Sequence, residues 1–342
     1  MRAVVIHQHG DLSQLTYTEI PQPSIGPNDV LVRVKACALN HLDIWVRLGL
    51  PGLKLPMPHV CGSDIAGEIE KLGKNVKSLK IGQRVILAPG IVPQDDPYFN
   101  TDWESLSPNF QIFGLQIDGG YAEFVKSPAR NVIPVSGKLT FDEWASIPLV
   151  FLTAWHMLVT RANLQKGETI LVHAAGSGVG AAGIQVARYL GAKVITTAGS
   201  DEKLEHAKKL GAHEVINYRK SAFDKEVHVL TKGQGVDVVL EHIGPDTFQK
   251  SVLCLARKGR LVTCGVTSGP NVEFSLRSVF AKQQSIIGCY MGGMPELRKV
   301  LKLVETGKLR PVVDQAFPLS DAARAQERML ARKNFGKIIL NP

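Results

Sequence analysis

The sequence predicts an α/β protein built of two parts, a β-rich part and a doubly wound parallel sheet. Three observations predict it. The chain has 342 residues, too many for one ordinary core. Its first part is a series of short alternating strands separated by Gly, Pro and Asn/Asp, the pattern of a compact β-rich domain. From residue 141 onward strand and helix alternate around a glycine-rich turn, which is how a parallel sheet is wound.

Element by element, strands are expected at 4–6, 30–36, 67–72, 84–87 and 123–126, with Pro21, Pro23 and Pro27 punctuating an early loop. Residues 88–118 are polar and aromatic with few strand or helix signals. A loop of that length is functional or the remnant of a functional element. Helical spacing appears at 141–146 and 153–161, then a buried-strand run at 169–173 and a helix at 179–190. Strands at 193–197, 215–216, 236–240, 260–264 and 285–288, with a helix at 202–210, continue the alternation. The tail reads helix, strand near Phe317, helix, and a last strand at 337–340. The expected domains are 1–148 with 292–342, and 149–291.

Hydrophobic residues make up 44% of the chain and charged residues 21%, as in soluble globular proteins. The net charge of +9 comes from 40 basic and 31 acidic residues. Two readings fit it, a solvated basic surface or attraction of an anionic ligand. The basic residues are scattered without a Lys/Arg block, which argues against dedicated nucleic-acid binding. The five cysteines, an odd number without CxxC spacing, fit reduced thiols in a cytoplasmic protein. No signal core opens the chain and no stretch of about 18 apolar residues occurs, so no membrane contact is expected.

The strongest positive signal is the run LVHAAGSGVGAAGIQVARYLGAKVITTAGSDEK. A buried strand ends at His173. The small-residue turn Ala174, Ala175, Gly176, Ser177, Gly178, Val179, Gly180 follows, and a helix begins. Absent side chains let backbone approach a pyrophosphate, and the helix N-terminus supplies free N–H donors and a favourable dipole. GxGxxG alone is weak; inside strand–turn–helix it is strong. The end of the second strand selects the cofactor. An acid there would hold ribose hydroxyls and repel a 2′-phosphate. This chain has Gly199 and Ser200, with Lys203 one turn on and Tyr218 after the third strand. NADPH is therefore expected over NADH. Asp201 lies past the usual acidic position, where it is expected to cap the next helix.

The stretches ALNHLDIWVRLG, LPMPHVCGSDIAGEI, GGYAEFV, IPLVFLTAWHML and FGKIIL, taken with the glycine-rich turn, resemble the medium-chain dehydrogenase/reductase superfamily. The likeness spans essentially the whole chain and lies toward the zinc-alcohol-dehydrogenase-like and quinone-oxidoreductase-like branches. It implies a GroES-like catalytic domain, a Rossmann domain, an active site in the cleft between them, and a homodimer or homotetramer. It also implies metal positions, and these are where the chain departs. Asn40 stands for the catalytic cysteine, Ser63 for the histidine of Gly-His-Glu with Asp64 after it, and Leu149 for the remaining cysteine. Leu42 replaces the relay hydroxyl, and Trp45 lies where a relay histidine often does. Pro93, Asp96, Phe99 and Ser107 keep the spacing of the four structural-zinc cysteines. Tetrahedral zinc needs N, S or O ligands that these residues do not supply, so no zinc is expected. Packing of Tyr98, Phe99 and Trp103 is expected to hold the emptied lobe instead. The quinone-reductase pattern Leu-Asn-x-x-Asp is matched by Leu39 to Asp43. It implies that Asn40 contacts the nicotinamide or its ribose, with Thr153 and Gly265 beside it. Asp43 also reads as a structural hydrogen-bonding group. A rival metal set of Cys37, His41, His59 and Cys61 is disfavoured, because buried cysteines commonly serve as core.

Without a Lewis acid, hydride must pass to an acceptor that is already electrophilic. The expected activity is zinc-independent, NADPH-dependent reduction of a quinone or α,β-unsaturated carbonyl. Asn40, His41, Ser63 and Asp64 are the candidate catalytic residues, His41 because its pKa suits acid–base work. Trp45, Leu149 and Phe151 are the expected apolar wall. Two alternatives stay open: an alcohol dehydrogenase with an atypical or absent metal, and a catalytically silent NADPH-binding sensor.

Overall fold

The structure, a computed structural model, describes residues 1–342. The chain first forms β1 (Arg2–Ile6), β2 (Thr16–Glu19), β3 (Asp29–Ala38), α1 (His41–Leu48), β4 (His59–Val60), β5 (Asp64–Leu72) and β6 (Arg84–Leu87). β7 (Gly90–Ile91), β8 (Gln111–Ile112), β9 (Phe124–Pro128), β10 (Val132–Pro134), α2 (Phe141–Ala145) and α3 (Pro148–Trp155) follow. The alternating region is β11 (Thr169–Val172), α4 (Gly178–Tyr189), β12 (Lys193–Ala198), α5 (Asp201–Leu210), β13 (Glu214–Asn217) and α6 (Phe223–Leu230). It continues with β14 (Val236–Glu241), α7 (Phe248–Cys254), β15 (Leu255–Thr263), α8 (Leu276–Lys282) and β16 (Ser285–Gly288). The tail is α9 (Met294–Glu305), β17 (Val313–Pro318), α10 (Ala322–Leu330) and β18 (Lys337–Asn341).

Two compact units result: Met1–Leu149 with Gly293–Leu297 and Pro311–Pro342, and Val150–Gly292 with Arg298–Arg310. Residues 298–310, expected in the first unit, pack with the second. Gln185 of α4 gives one reason. Its side chain donates to Arg310 O at 3.0 Å and accepts from Arg310 N at 2.9 Å.

In the first unit the main sheet runs β10-β6-β5-β3-β18-β17, with β9 also on β3, beside a small sheet β2-β1-β4. β3 is rich in valine and pairs with β5, β9 and β18, so both its edges are hydrogen-bonded, and its apolar side chains are buried. The last strand thus lies beside the third. Ile339 pairs with Ala38, and Leu39 N donates to Ile338 O. That register brings residue 337 level with residue 40.

The second unit is one six-stranded sheet, β13-β12-β11-β14-β15-β16, parallel throughout. Counted from its first strand the order is 3-2-1-4-5-6, the Rossmann arrangement, in which ligands bind beyond the strand C-termini at the reversal between β11 and β14. Leu171, Ile195, Val239 and Leu261 point into one core, each side chain worth about 1.5–3 kcal/mol of burial. Gly183 lets α4 approach: a Cβ there would lie 2.7 Å from Leu240 Cδ1. The helix expected at 153–161 is α-helical only to Trp155 and goes on as a π turn, His156–Arg161. No helix is long and apolar enough to cross a membrane.

Candidate functional site

β11 ends at the glycine-rich turn. Ala174 has φ +51°, in the left-handed region. Ala175 N donates to Thr197 O, and Ser177 N to Ala174 O. Ser177 caps α4 by accepting from Gly180 N at 2.9 Å, and its hydroxyl lies 2.9 Å from His242 Nε2. Gly176, Gly178 and Val179 complete the turn and the first turn of the helix. A Cβ on Gly180 would fall 2.1 Å from Ala174 O, so only glycine permits this closure. The arrangement fits a dinucleotide pyrophosphate.

At the end of β12, Ser200 caps α5, its Oγ facing Lys203 N at 3.4 Å. The cap is therefore Ser200 and not Asp201 as expected. Asp201 is tied down elsewhere, by Asn217 Nδ2 at 2.7 Å and Lys220 Nζ at 2.5 Å. Those contacts hold its carboxyl below the usual carboxylate range. Tyr218 rests against Gly199, where a Cβ would meet its hydroxyl at 2.6 Å and Arg219 Nε at 3.2 Å. Arg219 was not among the expected residues. It adds a guanidinium to the cradle of Gly199, Ser200, Lys203 and Tyr218.

Beneath the turn lies a buried polar chain. Ala174 N donates to Thr197 Oγ1, which lies 3.1 Å from His173 Nδ1. His173 Nε2 is 2.8 Å from Ser251 Oγ, and that hydroxyl donates to Glu241 Oε2. Glu241 Oε1 takes Ile243 N and Gly244 N. Burial drives His173 toward its neutral form against the pull of Glu241. The chain ties the turn after β11 to the turn after β14. Gly265, after β15, lies near His242: a Cβ there would be 3.2 Å from His242 O. Thr153 is buried with its hydroxyl unpartnered, an unspent donor that fits a polar ligand group. Phe151 is buried in the same helix.

In the first unit, Asn40, Asp64 and Leu149 do converge. Asn40 Nδ2 donates to Asp64 Oδ2 at 3.0 Å, and Leu149 N donates to Asp64 Oδ1 at 2.7 Å. The sequence reading missed the fourth member, Lys337. Its ammonium donates to Asn40 Oδ1 at 2.5 Å and Asp64 Oδ2 at 2.9 Å. Ser63 is buried and its hydroxyl has no partner. A catalytic zinc needs free N, S or O donors. Here Asn40 and Asp64 are engaged by the Lys337 ammonium and Leu149 offers only a backbone N–H, so the residues do not fit that metal. The rival set of Cys37, His41, His59 and Cys61 gains no support either. Burial raises both thiols well above their ordinary range, against thiolate formation.

Asp43 is structural. Its carboxylate accepts from Asn40 N, Gly62 N and Tyr121 Oη at 2.7–3.1 Å. Burial nevertheless pushes its pKa up to about 6. His41 stands edge-on to Trp45, ring centroids 5.1 Å apart. Burial, with Arg332 adding, lowers its pKa. A neutral ring at pH 7 is a hydrogen-bonding group rather than a ready acid.

The 88–118 loop is held differently from expectation. Phe99 does pack, under Arg130 at 4.0 Å, but the main fastener is polar. Ser107 Oγ donates to Asp96 Oδ2 at 2.6 Å, Tyr98 N to Asp96 Oδ1 at 2.9 Å, and Asn109 Nδ2 also reaches Asp96 Oδ2. Two of the four ligand positions thus bond directly. Buried Glu104 accepts from Asn100 N and Met294 N and pairs with Arg130.

Comparison with known proteins agrees with this geometry. Residues 26–137 match the alcohol dehydrogenase GroES-like domain family and residues 178–306 the zinc-binding dehydrogenase family. The chain is 32% identical to the zinc-type alcohol dehydrogenase-like protein C1773.06c of Schizosaccharomyces pombe, over 94% of this chain and 93% of that one. It is 30% identical to quinone oxidoreductase of Homo sapiens, over 99% and 97%. A solved NAD-dependent alcohol dehydrogenase superposes with TM-score 0.95 at 41% identity, covering 100% of both chains. With its GroES-like unit, its Rossmann unit and these relatives along its whole length, the chain belongs to the medium-chain dehydrogenase/reductase superfamily of nicotinamide-dependent oxidoreductases.

Proposed function

We propose that the protein is a zinc-independent, NADPH-dependent reductase of quinones or α,β-unsaturated carbonyls. One observation carries this reading: the Lys337–Asn40–Asp64 cluster where a catalytic metal would be held. Ionising an alcohol without a metal asks much of ordinary side chains. A quinone or enone already accepts hydride, so positioning supplies much of the rate. The bound dinucleotide supplies a hydride from its reduced nicotinamide. Asn40 orients its nicotinamide end, and Ser63 and Asp64 border the acceptor. Trp45 and Leu149 form an apolar wall, and water delivers the proton.

NADPH is favoured by the cradle at Gly199. Asp201, the acid nearest the end of β12, is engaged by Asn217 and Lys220. Ser200, Lys203, Tyr218 and Arg219 present donors and positive charge to a 2′-phosphate. The alcohol dehydrogenase reading draws on the solved relative of that description. The partner we propose is a second copy of the chain. Edge strand β16 and helix α8 expose Ile286, Leu276 and Phe280, the last two about 70% accessible, and an open apolar edge invites pairing. NADPH absorbance, followed with an ortho-quinone and a short enone, tests the reading. Oxidation of NADPH with either acceptor is expected. Alcohol oxidation with no quinone or enone turnover would overturn it, and tight NADPH binding with no turnover would favour a sensor.

A further inference from the structure

Strand β18 opens with Lys337, whose side chain is only 5% exposed. A buried ammonium must be neutralised and hydrogen-bonded. Asp64 alone would neutralise it. The structure does more, because Asn40 closes a triangle. Its Oδ1 accepts from the ammonium, and its Nδ2 donates to the Asp64 oxygen that the ammonium also uses. The carboxamide therefore has one orientation. Reversed, its NH2 would face a cation and its oxygen a carboxylate. Accepting from a cation also polarises the amide and strengthens its N–H groups as donors.

The triangle leaves capacity unspent. Asn40 uses one N–H on Asp64, and the described contacts use two of the three ammonium protons. Next to Asp64 in the chain, buried Ser63 Oγ has no partner. A buried donor left unused in this way is open to a ligand or a water.

We propose that Lys337 is a positioning residue that locks Asn40, so that the remaining Nδ2–H is presented to an acceptor oxygen on the nicotinamide half of the dinucleotide. This rests on the reading above that Asn40 meets that half. Lys337 acts through Asn40 and needs no contact with substrate.

The test is binding, so it does not depend on finding the acceptor. NADPH affinity is measured by nicotinamide fluorescence for wild type, Asn40→Ala, Lys337→Met and the double variant, beside 2′,5′-ADP as a probe of the adenosine half. Each single change is expected to weaken NADPH on the order of 10-fold. The double variant should be no worse than either single, and 2′,5′-ADP affinity should stay unchanged. Lys337→Met leaves Asp64 buried and unpaired and can fail to fold, so Lys337→Met with Asp64→Asn is the companion variant. It restores neutrality without restoring the lock, and is expected to fold yet still bind NADPH weakly. NADPH affinity regained in the companion would reduce Lys337 to a structural ion pair. Additive losses in the double variant would also overturn the proposal, as would wild-type affinity in Asn40→Ala. Tight NADPH binding without turnover of any acceptor would sink the reductase reading while leaving this one intact.

Discussion

Two regions of the first unit, the loop around Asp96 and the cluster around Lys337, bond their polar side chains in different ways. At the lobe, Asp96 spends both oxygens on Ser107, Tyr98 and Asn109, and Arg130 stacks on Phe99. Asp96 thus cross-links the loop. At the second region Lys337 supplies a fixed positive charge, but Ser63 keeps an unpartnered hydroxyl and Asn40 an unused N–H. The contrast is one of degree, since Arg130 Nη1 at the lobe is also buried without a partner, but only the Lys337 cluster gathers unspent donors around one fixed charge.

Substitutions in the two regions, and in the second unit, are expected to differ in size. The largest effect is expected at Lys337. Lys337→Met alone should cost about 3–5 kcal/mol in urea unfolding, the usual penalty for orphaning a buried charge. A change under about 1 kcal/mol would show that Asp64 is not buried as described. Asp43→Asn comes next, at about 2–3 kcal/mol, because an amide cannot accept from three donors as a carboxylate does. Asp43 also has a distinctive pH signature. Its folded pKa of about 6 lies above the unfolded value of 3.8. Between those values the folded state binds the extra proton, so this group's contribution falls as pH rises from about 4 to 6 and is flat above. Asp43→Asn should remove that slope, and an unchanged slope would assign it to another group. In the second unit, Arg219→Ala should cut the preference for NADPH over NADH by about 10-fold, as expected for losing one charge-assisted contact. Equal losses with both cofactors would place Arg219 away from the 2′-phosphate. The smallest effect is expected at the lobe. Asp96→Ala should speed amide exchange across residues 93–109 and leave NADPH affinity unchanged. Loss of NADPH affinity there would erase the distinction between the two regions.

Much of this was legible in the sequence because the signals are local. The Gly178-to-Gly183 motif sits in one strand–turn–helix, and the six parallel strands fall at their expected places. Asn40, Ser63 and Leu149 stand out in the sequence as residues without the donors zinc prefers. Lys337 was not legible, although it stands in the quoted run FGKIIL. Its partners are 297 and 273 residues away, and only the pairing of β18 with β3 joins them. A charged residue opening a strand buried through four positions was the available signal. Asp96 and Ser107 were read as lost ligands, when their side chains are complementary donor and acceptor. Helix α1 was overlooked because its eight residues were read for their motif rather than their spacing. Residues 298–310 were misassigned because contiguity was taken for packing, which the Gln185–Arg310 pair contradicts.

The central claim is that an internal cation, not a metal, organises the site. It is tested most directly by measuring NADPH oxidation with quinone and enone acceptors before and after exhaustive chelation, with zinc content determined on the same sample. The account predicts unchanged turnover and zinc far below one per chain. Activity lost on chelation and regained with zinc would contradict it, and would require Lys337 to leave Asn40 and Asp64 in the working enzyme.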